Sequence, residues 1–429
     1  MPRFIGIKDN YICIVSDKSF NHENINVIEV PKEFENLSSE ELIINCKFRD
    51  GSLRYKHSNK QAKDLKIALI GNWKMRCGIS SYAENLWPKV VKHLKDFKLF
   101  VEDNDLITSN IYEFDGTILD KNQVLSCWKR GESLQKLIDS LKEYDPDIIW
   151  IQHEFGLWSN ASYWLSMMSQ LSDYRIIVTQ HSVFHHKDKA ICEAAMPEIV
   201  THLQGGKDTL INEKHIQGKV YVIPHGCFLP VKEKVWNMYK STNTFMQFGF
   251  GFRYKGWENS IKAAAILKEK YPDVFFTGLF SESPYNKVEH QIYYNELITL
   301  IDSLNLKENV AIIRGYQSDF IIDTYLRANT ATVFPYVSHP EHEVYGASGA
   351  ARLAMAKCVP VITTSVNHFS DLNTIKADTP EQIANELNKL FKDSLYAKHQ
   401  IDAQNIYLEN NSWDNVALKY IELFENRFI

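Results

Sequence analysis

Residues 341–372 read EHEVYGASGAARLAMAKCVPVITTSVNHFSDL: an acidic start, a cluster of small residues, an apolar helical pattern and a β-branched run in immediate succession. Gly346, Ser348 and Gly349 fall where a helix begins, so the backbone N–H groups at Ser348, Gly349 and Ala350 are available to an anion. The pattern predicts a helix over 350–357 that stops ahead of Pro360. VPVITT, at 359–364, then has the density of β-branched residues expected of a buried parallel strand. Taken alone, this is a crossover unit of an open α/β sheet with a candidate phosphate site at its turn.

The same alternation extends outward in both directions. KIALIGNW, from Lys66, reads as a buried strand; the turn Arg76-Cys77-Gly78-Ile79-Ser80-Ser81 and the helix SYAENLWPKVVKHLKDF follow it. DIIWIQHEF, RIIVTQHSVF, EIVTHL and KVYVIPHG are further strands, and Pro224-His225-Gly226 closes the first series. A polar segment from Lys232 to Asn243 separates it from a second series: FMQFGFGF running into Arg253-Tyr254-Lys255-Gly256, then VFFTGLF, NVAIIRG, TATVFPYV and the 341–372 unit, with helical patterns between them. Strands separated by helices imply parallel sheets with right-handed crossovers. The predicted fold class is therefore α/β: two Rossmann-like doubly wound domains facing a cleft, over 65–231 and 232–410, with a last helical segment at 411–429. Residues 1–64 differ. FIGIKDNYICIVSD, INVIEV and LIINCKF, with turns at Lys8-Asp9-Asn10 and Arg49-Asp50-Gly51-Ser52, predict a small β-rich appendage and linker.

Composition bounds the function classes. The chain has 429 residues, 45% hydrophobic and 24% charged, with a formal net charge of −5. This is the make-up of an ordinary globular protein, and its net charge does not indicate a nucleic-acid partner. The seven cysteines are spread without a CxxC pair, which favours reduced thiols and speaks against a disulfide framework or a zinc site. The N-terminus lacks signal-peptide order, and no run reaches the roughly 18 apolar residues of a transmembrane span. The expected location is cytoplasmic. The helix PKVVKHLKDFK is basic and amphipathic enough to permit a peripheral membrane contact.

Ligands of open parallel sheets bind beyond the carboxyl ends of the strands, so residues that follow strand runs are the candidates. In the first domain these are Gly71, Arg76, Gly78 and Ser80, then Gln152, His153 and Glu154, then Gln180, His181 and Ser182, then His225 and Gly226. In the second they are Arg253 and Lys255, then Tyr336, His339, Glu341 and Glu343, with the N–H groups of the 348–350 turn. Arg253 and Lys255 beside a glycine-rich turn suit a diphosphate, since a bidentate and a point cation together neutralise its charge. Glu343 or Glu341 could accept hydrogen bonds from sugar hydroxyls. His153 and His181 end strands of one sheet and suit a polar ligand. His185 and His186 are adjacent and cannot share one helix face, so no metal ligand set is assigned. No G-x-S-x-G elbow, P-loop or H-E-x-x-H occurs.

The pieces RCGISSYAENL, PDIIWIQHEFGLW, IIVTQHSVF, KVYVIPHG, GFRYKGWENSIKAA and ASGAARLAMAKCVPVITTSVNHFSDL, in that order, resemble the retaining GT-B glycosyltransferases of family 4, the glycosyl transferases group 1. The resemblance runs from about Lys66 to the C-terminus. It implies a first domain for the acceptor, a second for a nucleotide-diphosphate sugar donor, and a closing helix at 411–429 that packs back on the first. It implies catalytic roles for Arg253, Lys255, His181 and Glu343, and donor contacts from Gly78, Ser80, Tyr336, Ser348, Gly349 and Ala350. Arg76, Gln152 and His153 fall on the acceptor side. It implies transfer of a hexose or pentose to a hydroxyl of a glycan, a lipid-linked glycan or another acceptor, with no obligatory cofactor or metal.

The sequence departs from that family at several positions. A pair of glutamates usually flanks the loop and helix; here the first falls at Tyr345, two residues after Glu343, and the second at Leu353. The arginine usual ahead of the lysine falls at Phe250, leaving Arg253 for its role. The substitution at Leu353 keeps a second class open, a non-catalytic nucleotide-sugar or glycan-binding protein, and a modified DNA base remains an alternative acceptor.

Overall fold

The computed structural model describes residues 3–8, 11–16, 25–29, 60–104, 111–114, 116–187, 197–214, 216, 219–231, 243–283, 286–338 and 343–426. The expected strand LIINCKF, the turns at 8–10 and 49–52, most of the 232–243 connection, His339 and Glu341 lie outside the described residues. Among the N-terminal residues, Arg3–Lys8, Tyr11–Ser16 and Ile25–Glu29 form a three-stranded sheet, its first pair antiparallel and its second parallel.

The predicted α/β architecture is present. A seven-stranded parallel sheet runs, from one edge, Val220–Val222, Glu198–Thr201, Arg175–Gln180, Ile148–His153, Lys66–Gly71, Asp96–Glu102 and Val124–Trp128. The chain winds outward from Lys66–Gly71 in one direction and then returns to wind outward in the other. The switch point is therefore the gap between Lys66–Gly71 and Ile148–His153. A six-stranded parallel sheet repeats the order: Val310–Arg314, Phe275–Ser281, Thr244–Phe250, Ala331–Phe334, Val361–Thr363 and Ile375–Lys376. Its switch point lies between Thr244–Phe250 and Ala331–Phe334. Ligands of doubly wound sheets collect at such crevices.

Both faces of the first sheet are covered, which is why its strands read as unbroken apolar runs. Leu69, Val101 and Trp150 pack toward the helices Gly78–Val91 and Trp413–Phe424, whereas Ala68, Ile70, Ile149 and Ile151 pack toward Gln135–Tyr144 and Ala161–Gln170. In the second sheet Phe245 meets Trp257 and Ile261 on one side, while Met246 and Phe248 meet Ala351, Ala354 and Met355 on the other. Among the described residues no helix is long and apolar enough to cross a membrane.

Among the described residues, several connections join the two halves. Ser182–Phe184 pairs antiparallel with Val344–Gly346, a ribbon made by one strand from each half. Cys227 and Ser412 form a parallel bridge where the chain passes between the halves, and a Cβ on Gly226 would sit 2.1 Å from the Trp413 ring. The helix Trp413–Phe424 then lies on the first sheet: the Tyr420 hydroxyl is 2.7 Å from Thr179 Oγ1 and 3.2 Å from the Tyr82 hydroxyl. Arg175, paired with Glu198, donates to the carbonyls of Leu423 and Phe424 at that helix's end.

Candidate active site

The second sheet's crevice is built around a tight turn. Gly256 has φ +64°, and a Cβ there would lie 1.9 Å from the Pro335 carbonyl oxygen, so only glycine lets this loop press against the neighbouring strand end. Val337 N–H donates to the Tyr254 carbonyl at 2.8 Å, and the Gln247 amide, itself held by Ser260, donates to the Lys255 carbonyl at 2.9 Å. These bonds deliver Lys255 into the crevice. Its Nζ lies 2.5 Å from the Tyr336 hydroxyl, 3.8 Å from the centre of the Tyr336 ring and 4.8 Å from that of Tyr254. The Tyr336 hydroxyl is in turn 3.1 Å from Ser348 Oγ, which caps the helix Gly349–Ala356 by accepting from Ala351 N–H.

Lys255 has no ion-pair partner among the described residues, and burial pushes its amine down to about 7. His368 stacks on Tyr254 at 5.7 Å and is held neutral, its imidazole pushed down to about 3 by burial and by the Lys255 charge. The pocket is thus a desolvated cation, two phenols and a helix N-terminus. An anion is the complement it lacks.

The first sheet's crevice is filled differently. A Cβ on Gly71 would meet Gln152 Cβ at 3.0 Å, so the strands come close at the switch point. Beyond Gly71, Cys77 caps the helix Gly78–Val91, and the Ser80 hydroxyl accepts from Met75 N–H at 2.9 Å while donating to Glu84 at 2.7 Å. That loop presents Arg76 over the ring of Tyr316, 5.4 Å away on the other half.

Behind the loop, histidines form a chain with one consistent set of protons. His202 Nδ1 donates to the Ile223 carbonyl at 3.0 Å, leaving Nε2 to accept from His181 Nδ1 at 3.3 Å. His181 Nε2 lies 2.9 Å from Gln152 Oε1, and with the imidazole proton on Nδ1 a bond between them requires the Gln152 amide to be turned so that its N–H₂ faces the ring. His225 Nδ1 donates to the Gly226 carbonyl, and its ring lies 3.5 Å from where a Cβ on Gly349 would be. Burial holds all three imidazoles below their ordinary range, His202 at about 4. Glu154, beside them, accepts from the Ser182 hydroxyl at 2.6 Å and from Phe155 N–H at 3.0 Å, and burial raises its carboxyl above the usual range.

Residues 230–406 match the family model "Glycosyl transferases group 1". No curated protein matches the chain by sequence. Solved structures match it by fold. A glycosyltransferase from Rickettsia africae ESF-5 has 15% identity and a TM-score of 0.63, covering 85% of this chain and 98% of that one. The E. coli trehalose-6-phosphate protein bound with UDP-2-fluoro glucose has 12% identity and a TM-score of 0.62, covering 84% and 99%. An Anabaena protein in complex with UDP and glucose has 13% identity and a TM-score of 0.58, covering 84% and 100%. The chain has the GT-B fold.

Within this GT-B architecture the candidate residues separate. Lys255, Tyr336, Ser348, Gly349 and Ala350 come together at one crevice. Arg253 does not join them. Its exposed guanidinium bonds Glu289 at 2.9 Å and Glu296 at 2.6 and 2.8 Å, both on the helix Lys287–Ser303. Ser80 spends its hydroxyl on the loop, whereas a Cβ on Gly78 would meet nothing within 4 Å, leaving that helix start open. Gln152 and His153 point to opposite faces of their strand: Gln152 joins His181, while His153 is enclosed by Phe155 and Trp164 and pushed down to about 3. Glu343 lies near the ribbon between the halves, accepting from Asn367 at 2.6 Å and lying 3.4 Å from His185. Leu353 packs into the apolar cluster under the helix. His202, Tyr254, Tyr316, Arg352 and His368 are additions that no motif singled out. Tyr254 lay in plain view between the two cations, and His202 directly follows a strand.

Proposed function

We propose that the protein is a retaining glycosyltransferase that moves a hexose or pentose from a nucleotide-diphosphate sugar to an acceptor hydroxyl. The observation that carries this reading is Lys255, a desolvated cation without a counter-charge among the described residues, set beside a helix N-terminus at the switch point of a group 1 domain. The donor binds against residues 232–410 and the acceptor against residues 65–231, with the 411–429 helix tying the two. The leaving diphosphate gathers negative charge as the anomeric bond breaks, and Lys255 with the Gly349 and Ala350 N–H groups stabilises it. The acceptor hydroxyl approaches on the side the diphosphate leaves, which retains configuration. The neutral imidazole wall of His181, His202 and His225 lines the first half without adding charge. The open start of the Gly78 helix faces the same cleft. UDP is the nucleotide named for the E. coli and Anabaena structures, which makes UDP-sugars the first donors to test.

The test is a panel of UDP-, GDP-, ADP- and dTDP-sugars, with diphosphate release followed by chromatography and the product anomer assigned by NMR, with and without EDTA. Turnover with retained configuration, unchanged by EDTA, is expected. An inverted product removes retention. Diphosphate binding without turnover of any donor points instead to a binding protein, a class consistent with Leu353 in place of an acid.

A further inference from the structure

Arg352, in the first turn of the helix Gly349–Ala356, is a fully buried charged side chain, 1% exposed. A buried guanidinium costs several kcal/mol unless its donors are matched, so its partners indicate what it is for. Nη2 reaches Asp371 Oδ2 at 2.5 Å, and Nε and Nη2 reach the Tyr407 hydroxyl at 3.2 and 2.9 Å. Tyr407 also donates to Asp371 at 2.7 Å. The remaining arm, Nη1, donates to the Ser348 carbonyl at 3.0 Å.

That carbonyl should be the acceptor of the first helical hydrogen bond, yet Arg352 N–H lies 3.5 Å from it. The side-chain bond is the shorter of the two, so the guanidinium adds a second hold on this carbonyl beside the long backbone bond. Because a peptide unit is planar and trans, fixing the Ser348 carbonyl also fixes the direction of the Gly349 N–H. Ser348 Oγ, on the same residue and held by Ala351 N–H, continues the chain through the Tyr336 hydroxyl to Lys255 Nζ. Tyr407 ties the same unit to the passage between halves: its carbonyl accepts from Asn411 N–H at 3.1 Å, and the Asn411 carbonyl accepts from Cys227 N–H at 3.0 Å.

We propose that Arg352 is a positioning residue for the donor pocket, setting the Ser348–Gly349 peptide and, through Ser348 and Tyr336, the placement of Lys255. It stands next to Leu353, and it orders from beneath a turn whose usual second acid is absent. This inference rests on the glycosyltransferase reading above and adds a residue that does not touch the donor.

The test compares R352K, S348A and the double variant with wild type, using donor and acceptor kinetics and the affinity of UDP, GDP, ADP and dTDP by calorimetry. A lysine keeps one charge beside Asp371 but cannot bond the carboxylate, the phenol and the Ser348 carbonyl together. R352K should lower donor kcat/KM by about tenfold or more with acceptor KM unchanged. In the S348A background the same change should cost less than about threefold, because the two act along one chain. Full multiplication of the two losses, or donor and acceptor KM shifting together, would mean a merely structural role and would overturn the inference. If R352K does not fold, Y407F carries the test: a raised donor KM alone supports the inference, and an unchanged one overturns it. A wild-type chain that binds no diphosphate and turns over no donor overturns the reading and this inference together; a working wild type with an indifferent R352K overturns this inference alone.

Discussion

In the first sheet, the ends of Arg175–Gln180 and Glu198–Thr201 deliver imidazoles that bond one another: His202 Nδ1 donates to the Ile223 carbonyl, and His181 Nδ1 donates to His202 Nε2. In the second sheet the loop after Thr244–Phe250 delivers Lys255, whose partner is a phenol and whose charge no carboxylate among the described residues offsets. The strand order is the same in both. The scaffold supplies a crevice, and the side chains decide what it lacks. A wall of neutral groups carries no charge to offset, whereas a desolvated cation is stabilised when a ligand supplies the opposite charge.

Removing the cation is the hardest blow to this contrast. K255M should reduce donor turnover by about 10²–10³-fold, the loss typical of removing one group that stabilises developing negative charge. Diphosphate affinity should fall with it, and the melting temperature should hold or rise, since a buried amine without a carboxylate partner is replaced by an apolar chain of similar length. Donor kinetics and a thermal melt check both. Normal turnover in K255M would sink the assignment of the second crevice.

Titration separates the two crevices in opposite pH ranges. Lys255 sits at about 7 in the folded chain, and binding a diphosphate requires it protonated. Donor affinity should therefore be full below pH 7 and weaken by up to about tenfold per unit above it, while K255R, always charged, should flatten that limb. The histidines act on stability instead. His202 is near 4 and His153 near 3 when folded, both below the roughly 6.5 of an unfolded histidine, so the unfolded chain binds more protons between those values. Their contribution is intact above pH 6.5 and is lost as the pH falls toward 4, at up to about 1.4 kcal/mol per unit for each imidazole. Thermal melts should hold from pH 7.5 to about 6.5 and fall from there to pH 5, a fall that H202Q makes shallower. A flat profile would mean the imidazoles are wetter than they are drawn.

The sequence carried the sheets and much of the second sheet's crevice because those features are local. Runs such as KIALIG and VPVITT are apolar throughout because both faces of a parallel strand are covered, and Lys255, Ser348 and Gly349 stand at a strand end and a helix start. Direction is harder to read than position. Gln152 and His153 are neighbours, and a period of two allows only one of them to face the His181 chain. Arg352 was hidden for another reason. It sits inside an apolar helical pattern, and its partners Asp371 and Tyr407 are 19 and 55 residues away in sequence, so only the folded chain reveals them.

Arg253 gives the smallest expected effect and the sharpest use of the comparison. It stands two residues before Lys255 in one short turn, and from sequence the two cations are equivalent candidates for a diphosphate. In the fold, Lys255 goes to Tyr336, while Arg253 lies over the Tyr293 ring at 4.8 Å and forks onto Glu289 and Glu296, which lie on one face of their helix. All three charged groups are largely exposed, and exposed pairs of this kind contribute little to stability. A guanidinium already matched by two carboxylates also has little charge left for a donor. R253A should therefore change donor KM and kcat by less than about threefold and leave the melting temperature nearly unmoved. If R253A instead loses turnover as K255M does, Arg253 must leave the two glutamates when donor binds. The donor pocket would then include the Lys287–Ser303 helix, whose acids would hold the arginine in reserve.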